Sequence, residues 1–393
     1  MGEVGACMIE RALSAYLGQL LAWFPVVSVT GPRQSGKSTL VKASFPDFAY
    51  ENLEDPQTFA RASEDPVGFV RNRPDHLIVD EAQRVPELFS AIQVESDRRG
   101  TPGQYVLSGP QNFLLLRQIS QSLAGRVGMA RLLPLSFAEL KTAHGDATLN
   151  DFLFTGGYPR MYDVGIPPLA YFPNYVETYV ARDVVGYLDV RKAAAFRTFL
   201  ELCAQSAGQL VNLTRLAGDA GVSRDTARSW LSILQSSYVV FLLEPYHANL
   251  RKRLTKTPKL YFHDTGLLCH LLRIQSAQQL LTGSQLGTVF ENLMVEETLK
   301  RHMNAGREPR LYFYRDDEKR EVDLVDMTVA GAEELVEIKA SETFRPSFCR
   351  HLGLVGDLLG IPAERRFVVE RAEGDFGSGG VQVRNASGWL TRP

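Results

Sequence analysis

The sequence has little cysteine and no excess of one charge. Its 393 residues contain 4 cysteines, which lie far apart and show no C-x-x-C spacing. This pattern excludes a disulfide framework and a Cys-rich zinc site, and it predicts reduced thiols in a cytoplasmic protein. The 43 basic residues nearly balance the 45 acidic ones, for a formal net charge of −2. The balance excludes a protein that is basic throughout but does not exclude a local basic patch.

A long uninterrupted apolar run is also missing. The most apolar stretch near the amino terminus, from Leu13 to Val29, is broken by Gln19 and Pro25. It is better interpreted as an amphipathic helix followed by a strand than as a membrane span or a secretory signal. We therefore expect no membrane association.

At this length the chain predicts two or three domains. Composition and motif order place the expected boundaries at 1–140, 141–280 and 281–393. The first segment alternates short β-branched runs with helical patterns, which predicts a parallel sheet with helices on both faces.

A phosphate-binding loop is the clearest motif. The pattern G-x-x-x-x-G-K-S follows an apolar strand-like run and precedes a helical one, as such loops require. Its predicted nucleotide-binding residues are Gly31, Pro32, Arg33, Gln34, Ser35, Gly36, Lys37, Ser38 and Thr39. Lys37 is expected to meet the β and γ phosphates of ATP, and the Ser38 hydroxyl is expected to hold Mg²⁺.

A second acidic motif follows at the end of another apolar run, His76 to Glu81. Asp80, at the carboxyl edge of a buried strand, is predicted to support the Mg²⁺ shell, and Glu81 is predicted to polarise the attacking water. The alternative, that these acids only cap a helix, is weaker because a phosphate loop lies upstream.

Two further residues are candidates for the nucleotide site. Ser108 ends a predicted fourth strand and can sense the γ-phosphate, with Gln111 and Asn112 as substitutes, or it can belong to an ordinary turn. Arg126 is a candidate arginine finger or an ordinary surface cation. In the first role it can act on the neighbouring subunit of a homo-oligomer.

The middle segment contains a helix-turn-helix pattern. Gly221 marks a turn, and Ser223 is the predicted cap of a helix from Arg224 to Tyr238, before a β-like run. This order fits a winged helix, in which Arg224, Arg228 and the basic run Arg251–Lys259 can contact DNA phosphates. Protein contact or simple packing is an equally open interpretation.

The last segment carries D…E-x-K spacing. Asp323 lies on one predicted strand, and Glu337 and Lys339 lie two apart on the next, so the latter two share a face. Asp323 and Glu337 are predicted metal ligands, Glu291 on the preceding helix completes the set, and Lys339 can activate water. Alternation of charged and apolar residues also describes any half-buried strand, so the pattern alone is weak.

Taken in order, the motifs GPRQSGKST, HLIVDEAQ, SLAGRV, GGYPR, KLYFHDTGLL and EVD…EIK resemble a prokaryotic family of AAA-type ATPases with a DUF4143 carboxyl-terminal region. The family typically has T-G-S after its fourth strand, whereas this chain has Ser108-Gly109-Pro110. The resemblance implies a P-loop AAA-type domain, ATP binding and a PD-(D/E)xK nuclease-like domain of restriction-endonuclease type at the carboxyl end.

The sequence thus predicts an α/β protein in which a winged-helix middle region joins the ATPase and nuclease-like domains. The leading hypothesis is a Mg²⁺-dependent ATPase whose turnover is coupled to DNA binding or processing. The rival is an ATP-driven switch that binds protein partners and carries an inactive nuclease-like domain. The chain lacks an N-K-x-D pattern, so adenine is favoured over guanine.

Overall fold

Parallel strands alternate with helices in the amino-terminal part, as the apolar runs predict. The computed structural model describes residues 9–73, 76–109, 122–180, 193–246 and 257–392. The amino-terminal elements are α1 (Ser14–Trp23), β1 (Val26–Thr30), α2 (Lys37–Ser44), β2 (Ala49–Asn52), α3 (Pro56–Glu64), α4 (Pro66–Arg71), β3 (Leu77–Asp80), α5 (Glu87–Arg99), β4 (Tyr105–Ser108) and β5 (Val127–Arg131).

The five strands form a parallel sheet in the order β2-β3-β4-β1-β5. Its central strand β1 is buried along its whole length. Val26 packs into the apolar core on one face of the sheet, whereas Val27 and Val29 pack into the core on the other face. This alternation follows from the two-residue period of a strand, and it confirms the sheet with helices on both sides.

Helices dominate the middle of the chain. They are α6 (Phe137–Ala143), α7 (Leu149–Thr155), α8 (Pro159–Asp163), α9 (Pro168–Tyr175), α10 (Ala193–Gln205), α11 (Leu213–Asp219), α12 (Arg224–Ser236), α13 (Thr265–Leu271) and α14 (Ala277–Thr282). Ser223 caps α12, because its Oγ accepts a hydrogen bond from the Thr226 amide at 3.1 Å. The predicted cap is confirmed.

The carboxyl-terminal part is a mixed sheet around a long helix. A hairpin of β6 (Val240–Pro245) and β7 (Lys259–Phe262) is part of this sheet. The other elements are α15 (Leu286–Asn304), β8 (Leu311–Arg315), β9 (Glu321–Asp326), β10 (Glu334–Lys339), α16 (Leu352–Leu359), β11 (Arg366–Glu370), β12 (Phe376–Ser378), β13 (Val381–Asn385) and α17 (Ala386–Leu390). The strand order is β12-β13-β11-β10-β9-β8-β6-β7.

The hairpin of β6 and β7, which flanks the basic run of the predicted winged helix, therefore extends the carboxyl-terminal sheet. Strand β6 pairs antiparallel with β7 and parallel with β8. The sheet consequently crosses the boundary expected at 280/281, while the division into domains stays a prediction.

Helix α15 connects the two sheets through buried polar contacts. The Lys300 Nζ donates to the Leu135 carbonyl oxygen at 3.0 Å and to Glu297 Oε1 at 2.9 Å. The other oxygen of Glu297 accepts from the Phe137 amide at 2.8 Å. Both backbone partners lie just after β5, so the nucleotide-side sheet is braced directly against α15. Within the described ranges, no helix combines the length and apolarity that a bilayer span needs.

Candidate functional site

The loop between β1 and α2 has the backbone of a phosphate cradle. Gly31 has a φ of 154°, and a Cβ atom there would lie 2.1 Å from the Leu132 carbonyl oxygen, so only glycine fits. Gly36 has a φ of 91° in the left-handed region, and Lys37 starts α2 immediately after it. This turn places backbone N–H groups and the helix amino terminus around one point, which favours an anion.

Lys37 lies inside this loop and is only 8% exposed. Its Nζ donates to the carbonyl oxygens of Gly31 at 3.1 Å and Pro32 at 2.7 Å. The Ser35 hydroxyl also donates to Pro32, at 3.0 Å. The ammonium is therefore held within the loop by the carbonyl oxygens of that loop.

Asp80 ends β3 beside the loop and is 3% exposed. Its carboxylate accepts hydrogen bonds from Tyr50 Oη at 2.6 Å and Ser108 Oγ at 2.5 Å, and also from Ser38. Burial by itself would raise the pKa of Asp80, but the hydroxyl donors outweigh burial and keep that pKa below its ordinary value. The group is a carboxylate held ionised by neutral partners.

Glu81 follows in a left-handed backbone conformation, with a φ of 57°. Such a conformation is uncommon outside glycine and is often found at functional sites. The Gln83 amide donates to Glu81 Oε2 at 2.5 Å. Burial raises the pKa of Glu81, and Gln83 with the nearby Lys37 ammonium offsets only part of that rise. Glu81 lines a cleft of about 240 Å³ together with Arg33, Gln34, Gly36, Lys37, Ser38, Thr39 and Glu54.

The structure separates the two remaining candidates. Ser108 lies at the carboxyl end of β4, where its hydroxyl contacts Asp80. Arg126 lies at the opposite edge of the sheet, because its carbonyl accepts from the amide of Val26 at the start of β1. Its guanidinium forms a two-pronged ion pair with Asp97, at 2.6 and 2.9 Å. A role of Arg126 as an arginine finger is thus limited to a neighbouring subunit and stays a prediction. Gln111 and Asn112, the substitutes for Ser108, lie outside the described residues.

Arg11 is a site residue that the sequence reasoning missed. Its guanidinium donates to the carbonyl oxygens of Ser35 at 2.8 Å and Leu133 at 2.7 Å, and to Glu139 Oε1 at 3.1 Å. The same Glu139 oxygen accepts from the Ala12 amide at 2.8 Å, just before α1 begins at Ser14. The ion pair joins residues that are 128 positions apart, so no local sequence pattern predicts it.

A larger cavity of about 880 Å³ adjoins the phosphate loop. It lies between the amino-terminal segment, the outer side of α2 and the start of α8. Its lining residues are Ile9, Glu10, Arg11, Ser14, Gln34, Gly36, Thr39, Leu40, Ala43, Ser44, Leu135, Pro159, Arg160 and Asp163. Pro159 and Arg160, which end the G-G-Y-P-R motif, therefore supply one wall of this cavity.

Asp264, at the end of the KLYFHD motif, holds that wall in place. Its Oδ2 accepts from the Gly157 amide at 2.7 Å, and Oδ1 accepts from the Leu267 amide at 2.8 Å. A Cβ atom on Gly157 would lie 2.2 Å from the Leu135 carbonyl oxygen, so the approach requires glycine. Burial raises the pKa of Asp264 from 3.8 to about 6, although the amide donors act in the lowering direction.

The carboxyl-terminal acids come together only in part as predicted. Asp323 and Glu337 face each other across β9 and β10, and Lys339 Nζ lies 2.6 Å from Glu337 Oε1 and 3.4 Å from Asp323 Oδ2. The same Asp323 oxygen accepts from the Ile338 amide at 2.8 Å. The D…E-x-K spacing therefore predicts the neighbourhood correctly.

Glu291 has a different partner from the expected one. Lys259 Nζ lies 3.2 Å from Glu291 Oε1 and 2.7 Å from Glu321 Oε1, and Tyr261 Oη donates to Glu291 Oε1 at 2.6 Å. Lys259 is 3% exposed. Its predicted place at the end of a DNA-contacting basic run is therefore wrong, because its ammonium is buried among acids. Positions 251–256 of that run lie outside the described residues.

We name Glu291, Glu321, Asp323 and Glu337 the acid cluster. In the part of the chain that the structure describes, no three His, Cys, Asp or Glu side chains are arranged to hold a metal ion. Burial, followed by the neighbouring Asp323 carboxylate, raises the pKa of Glu337 to about 8, against the lowering effect of Lys339. The expected set of Glu291, Asp323 and Glu337 does not fit a divalent cation in this arrangement.

Helix α12 presents a polar face. Arg224, Arg228 and Ser229 are exposed, whereas Trp230 on the opposite side is fully buried. Arg228 forms an ion pair with Asp225 at 3.0 Å. The predicted DNA-contacting side chains are thus available on one surface, and DNA contact itself stays a prediction.

Comparison with known proteins places three family regions on the chain. Residues 24–141 match the AAA domain, residues 146–278 match a domain of unknown function (DUF8612), and residues 286–387 match another (DUF4143). The uncharacterized protein Rv2008c of Mycobacterium tuberculosis is 33% identical over 356 residues, covering 88% of this chain and 77% of the relative. The uncharacterized protein MJ1544 of Methanocaldococcus jannaschii is 21% identical over 305 residues, covering 70% of this chain and 66% of the relative.

Among solved structures, the Walker-type ATPase PABY2304 of Pyrococcus abyssi is similar at a TM-score of 0.43 and 14% identity. The match covers 68% of this chain and 96% of that one.

Proposed function

Because the chain belongs to the family of AAA-type ATPases that carry a DUF4143 carboxyl-terminal region, we propose that it binds ATP between β1 and α2 and hydrolyses it with Mg²⁺. The observation that carries this proposal is the meeting of Lys37, Ser38, Asp80 and Glu81 at one edge of the parallel sheet. Each of these residues has the chemistry that phosphoryl transfer to water requires.

The charged and polar residues of the site have separate roles in hydrolysis. Loop amides and the Lys37 ammonium bind the phosphate oxygens, and Ser38 with Asp80 would hold Mg²⁺, directly or through its water ligands. The bound cation neutralises charge that develops on the transferred phosphoryl group. Glu81 orients the attacking water and accepts its proton, and its raised pKa brings it closer to the range in which a general base works.

The cavity beside the loop takes the base and ribose. It opens next to Gly36 and Thr39, on the side of α2 where the remainder of a loop-bound nucleotide must extend. Leu40 and Pro159 offer apolar walls, and Glu10 and Arg160 offer polar groups at its margin. This cavity is therefore the proposed site of the base and ribose of ATP or ADP.

Binding and turnover of radiolabelled ATP test this proposal with Lys37→Ala, Glu81→Gln and the control Arg215→Ala, which removes an exposed arginine of α11. We expect Lys37→Ala to lose hydrolysis. Glu81→Gln should keep its ATP affinity while hydrolysis falls at least about 100-fold, as for loss of a general base. The control should match the wild type. Hydrolysis at the wild-type rate by Glu81→Gln would mean that this acid is not the base.

The polar face of α12 supports DNA contact as a second function. Arg224, Arg228 and Ser229 project from one side of a helix whose opposite side is packed into the core. This arrangement is similar to that of the recognition helix in helix-turn-helix modules. ATP turnover would then control DNA binding at this surface.

Duplex binding at several salt concentrations tests this second function. The double variant Arg224→Ala/Arg228→Ala should bind more weakly, with the slope of log affinity against log salt reduced by about 2. The control Arg197→Ala removes an exposed arginine of α10 and should keep the wild-type slope. Salt-insensitive association with a protein, unaffected by the double variant, would favour the rival switch that binds protein partners.

A further inference from the structure

The acid cluster contains a cation supplied by the chain itself. We propose that the Lys259 ammonium is the resident cation of this cluster and that it keeps a divalent metal ion out. The proposal concerns the carboxyl-terminal sheet, and it does not depend on hydrolysis at the phosphate loop.

The position of Lys259 is set by backbone pairing. Strand β7 places Lys259 opposite Leu243 of β6, and an additional bridge joins it to Leu210. The aliphatic stem is enclosed, since the side chain is only 4% exposed, and the ammonium lies 5.4 Å from the centre of the Phe313 ring. The ammonium is therefore built into the sheet, unlike a surface lysine that swings in solvent.

One oxygen on each of two expected metal ligands is already used, whereas Glu337 Oε2 is buried and accepts no hydrogen bond. Glu291 Oε1 accepts from Tyr261 and lies beside Lys259, and Asp323 Oδ2 accepts from the Ile338 amide and lies beside Lys339. A divalent cation would have to displace Lys259 from Glu291 and Glu321, because two cations cannot share one buried position.

The charges account for the arrangement. The four acids of the acid cluster face three cations of the chain, namely Lys259, Lys339 and Arg315, whose Nη1 lies 3.4 Å from Glu321 Oε2. Despite its burial, Lys259 has a pKa raised above its ordinary value by Glu291, Asp323 and Glu321. Replacing Lys259 with an uncharged side chain of similar volume should leave the acids without their counter-ion. We expect them to bind another cation in its place.

Mn²⁺ binding in the absence of nucleotide tests the proposal, by isothermal titration calorimetry and by thermal unfolding with and without EDTA. The wild type and the charge-retaining Lys259→Arg should show no saturable Mn²⁺ uptake. Lys259→Met should bind Mn²⁺ saturably, at least about tenfold more tightly than any uptake detectable in the wild type, and Lys259→Met/Asp323→Asn should lose that gain.

Three results would overturn the proposal. One is Mn²⁺ binding by the wild type that disappears in Asp323→Asn, and another is Lys259→Met with no gain in affinity. The last is a Lys259→Met protein that stays unfolded at every Mn²⁺ concentration, since the metal would then fail to replace the ammonium. A variant that folds only with Mn²⁺ would support it.

DNA cleavage gives an independent readout. Wild-type protein with Mg²⁺ or Mn²⁺, with and without ATP, should leave linear and supercoiled DNA intact. Cleavage by the wild type that is lost in Lys339→Ala would contradict the closed cluster while leaving the ATPase proposal untouched. Loss of hydrolysis in Lys37→Ala, in turn, says nothing about Lys259.

Discussion

The two ends of the molecule each gather carboxylates at the edge of a sheet, but they neutralise them differently. Asp80 accepts hydrogen bonds from the hydroxyl groups of Tyr50, Ser108 and Ser38. Asp323 and Glu337 lie beside the Lys339 ammonium, and Glu291 lies beside that of Lys259. Hydroxyl donors stabilise a carboxylate and leave its charge available, whereas an ammonium cancels it.

The difference teaches that the count of acids does not identify a metal site. A metal site is identified instead by negative charge that the protein itself leaves uncompensated. By that criterion the proposed nucleotide site leaves the charge of Asp80 available to a cation, whereas the acid cluster already lies beside cations of the chain.

The largest expected effect comes from removing one acid at each end. Asp80→Asn should lower ATP hydrolysis about 100-fold, because the lost charge no longer supports the cation at the phosphates. Asp323→Asn should hydrolyse ATP at the wild-type rate, because its carboxylate lies in the other sheet. Steady-state phosphate release measures both variants. Equal losses of ATP hydrolysis in the two variants would instead show that the two groups of acids act as one site.

A smaller effect is expected from the arginine that braces the phosphate loop. Arg11→Met leaves the buried Glu139 without its partner, so we expect the free energy of unfolding to fall by about 3–5 kcal/mol. Chemical denaturation measures the change. Arg126→Met is the matched control, because its ion pair with Asp97 lies in solvent and should leave stability unchanged. Similar changes in both variants would mean that the loop does not depend on Arg11.

The smallest expected effect concerns pH. Burial raises the pKa of Asp264 above its ordinary 3.8 to about 6, so the folded state holds this proton more tightly than the unfolded state does. The associated stability is present below about pH 4 and is lost as pH rises through about 6. Asp264→Asn should lack this loss, and denaturation midpoints from pH 4 to pH 7 measure it. An unchanged pH profile in the variant would remove Asp264 as its source.

Short-range patterns in the sequence predicted the fold and much of the nucleotide site. The phosphate loop is contiguous, so glycine spacing and flanking apolar runs suffice to place Gly31, Gly36 and Lys37. The Ser223 cap and the shared face of Glu337 and Lys339 follow from the helical and strand periods in the same way.

Long-range contacts escaped prediction because nothing nearby encodes them. Arg11 meets Glu139 across 128 positions, and Lys259 meets Glu291 across 32 positions and Glu321 on another strand. The basic residues upstream of Lys259 suggested a run that contacts DNA, whereas β7 pairs with β6 and places this lysine in the interior, beside Glu291 and Glu321. The wall contributed by Pro159 and Arg160 depends likewise on Asp264, 107 positions from Gly157.

The sequence by itself determined the AAA-type α/β fold and the residues of the phosphate loop, since both depend on spacing within single strands, turns and helices. Only the tertiary structure decided which cation faces each set of carboxylates. A carboxylate's charge is felt by whatever packs beside it, and the partners of Asp80 and Glu291 come from elements that folding alone brings together.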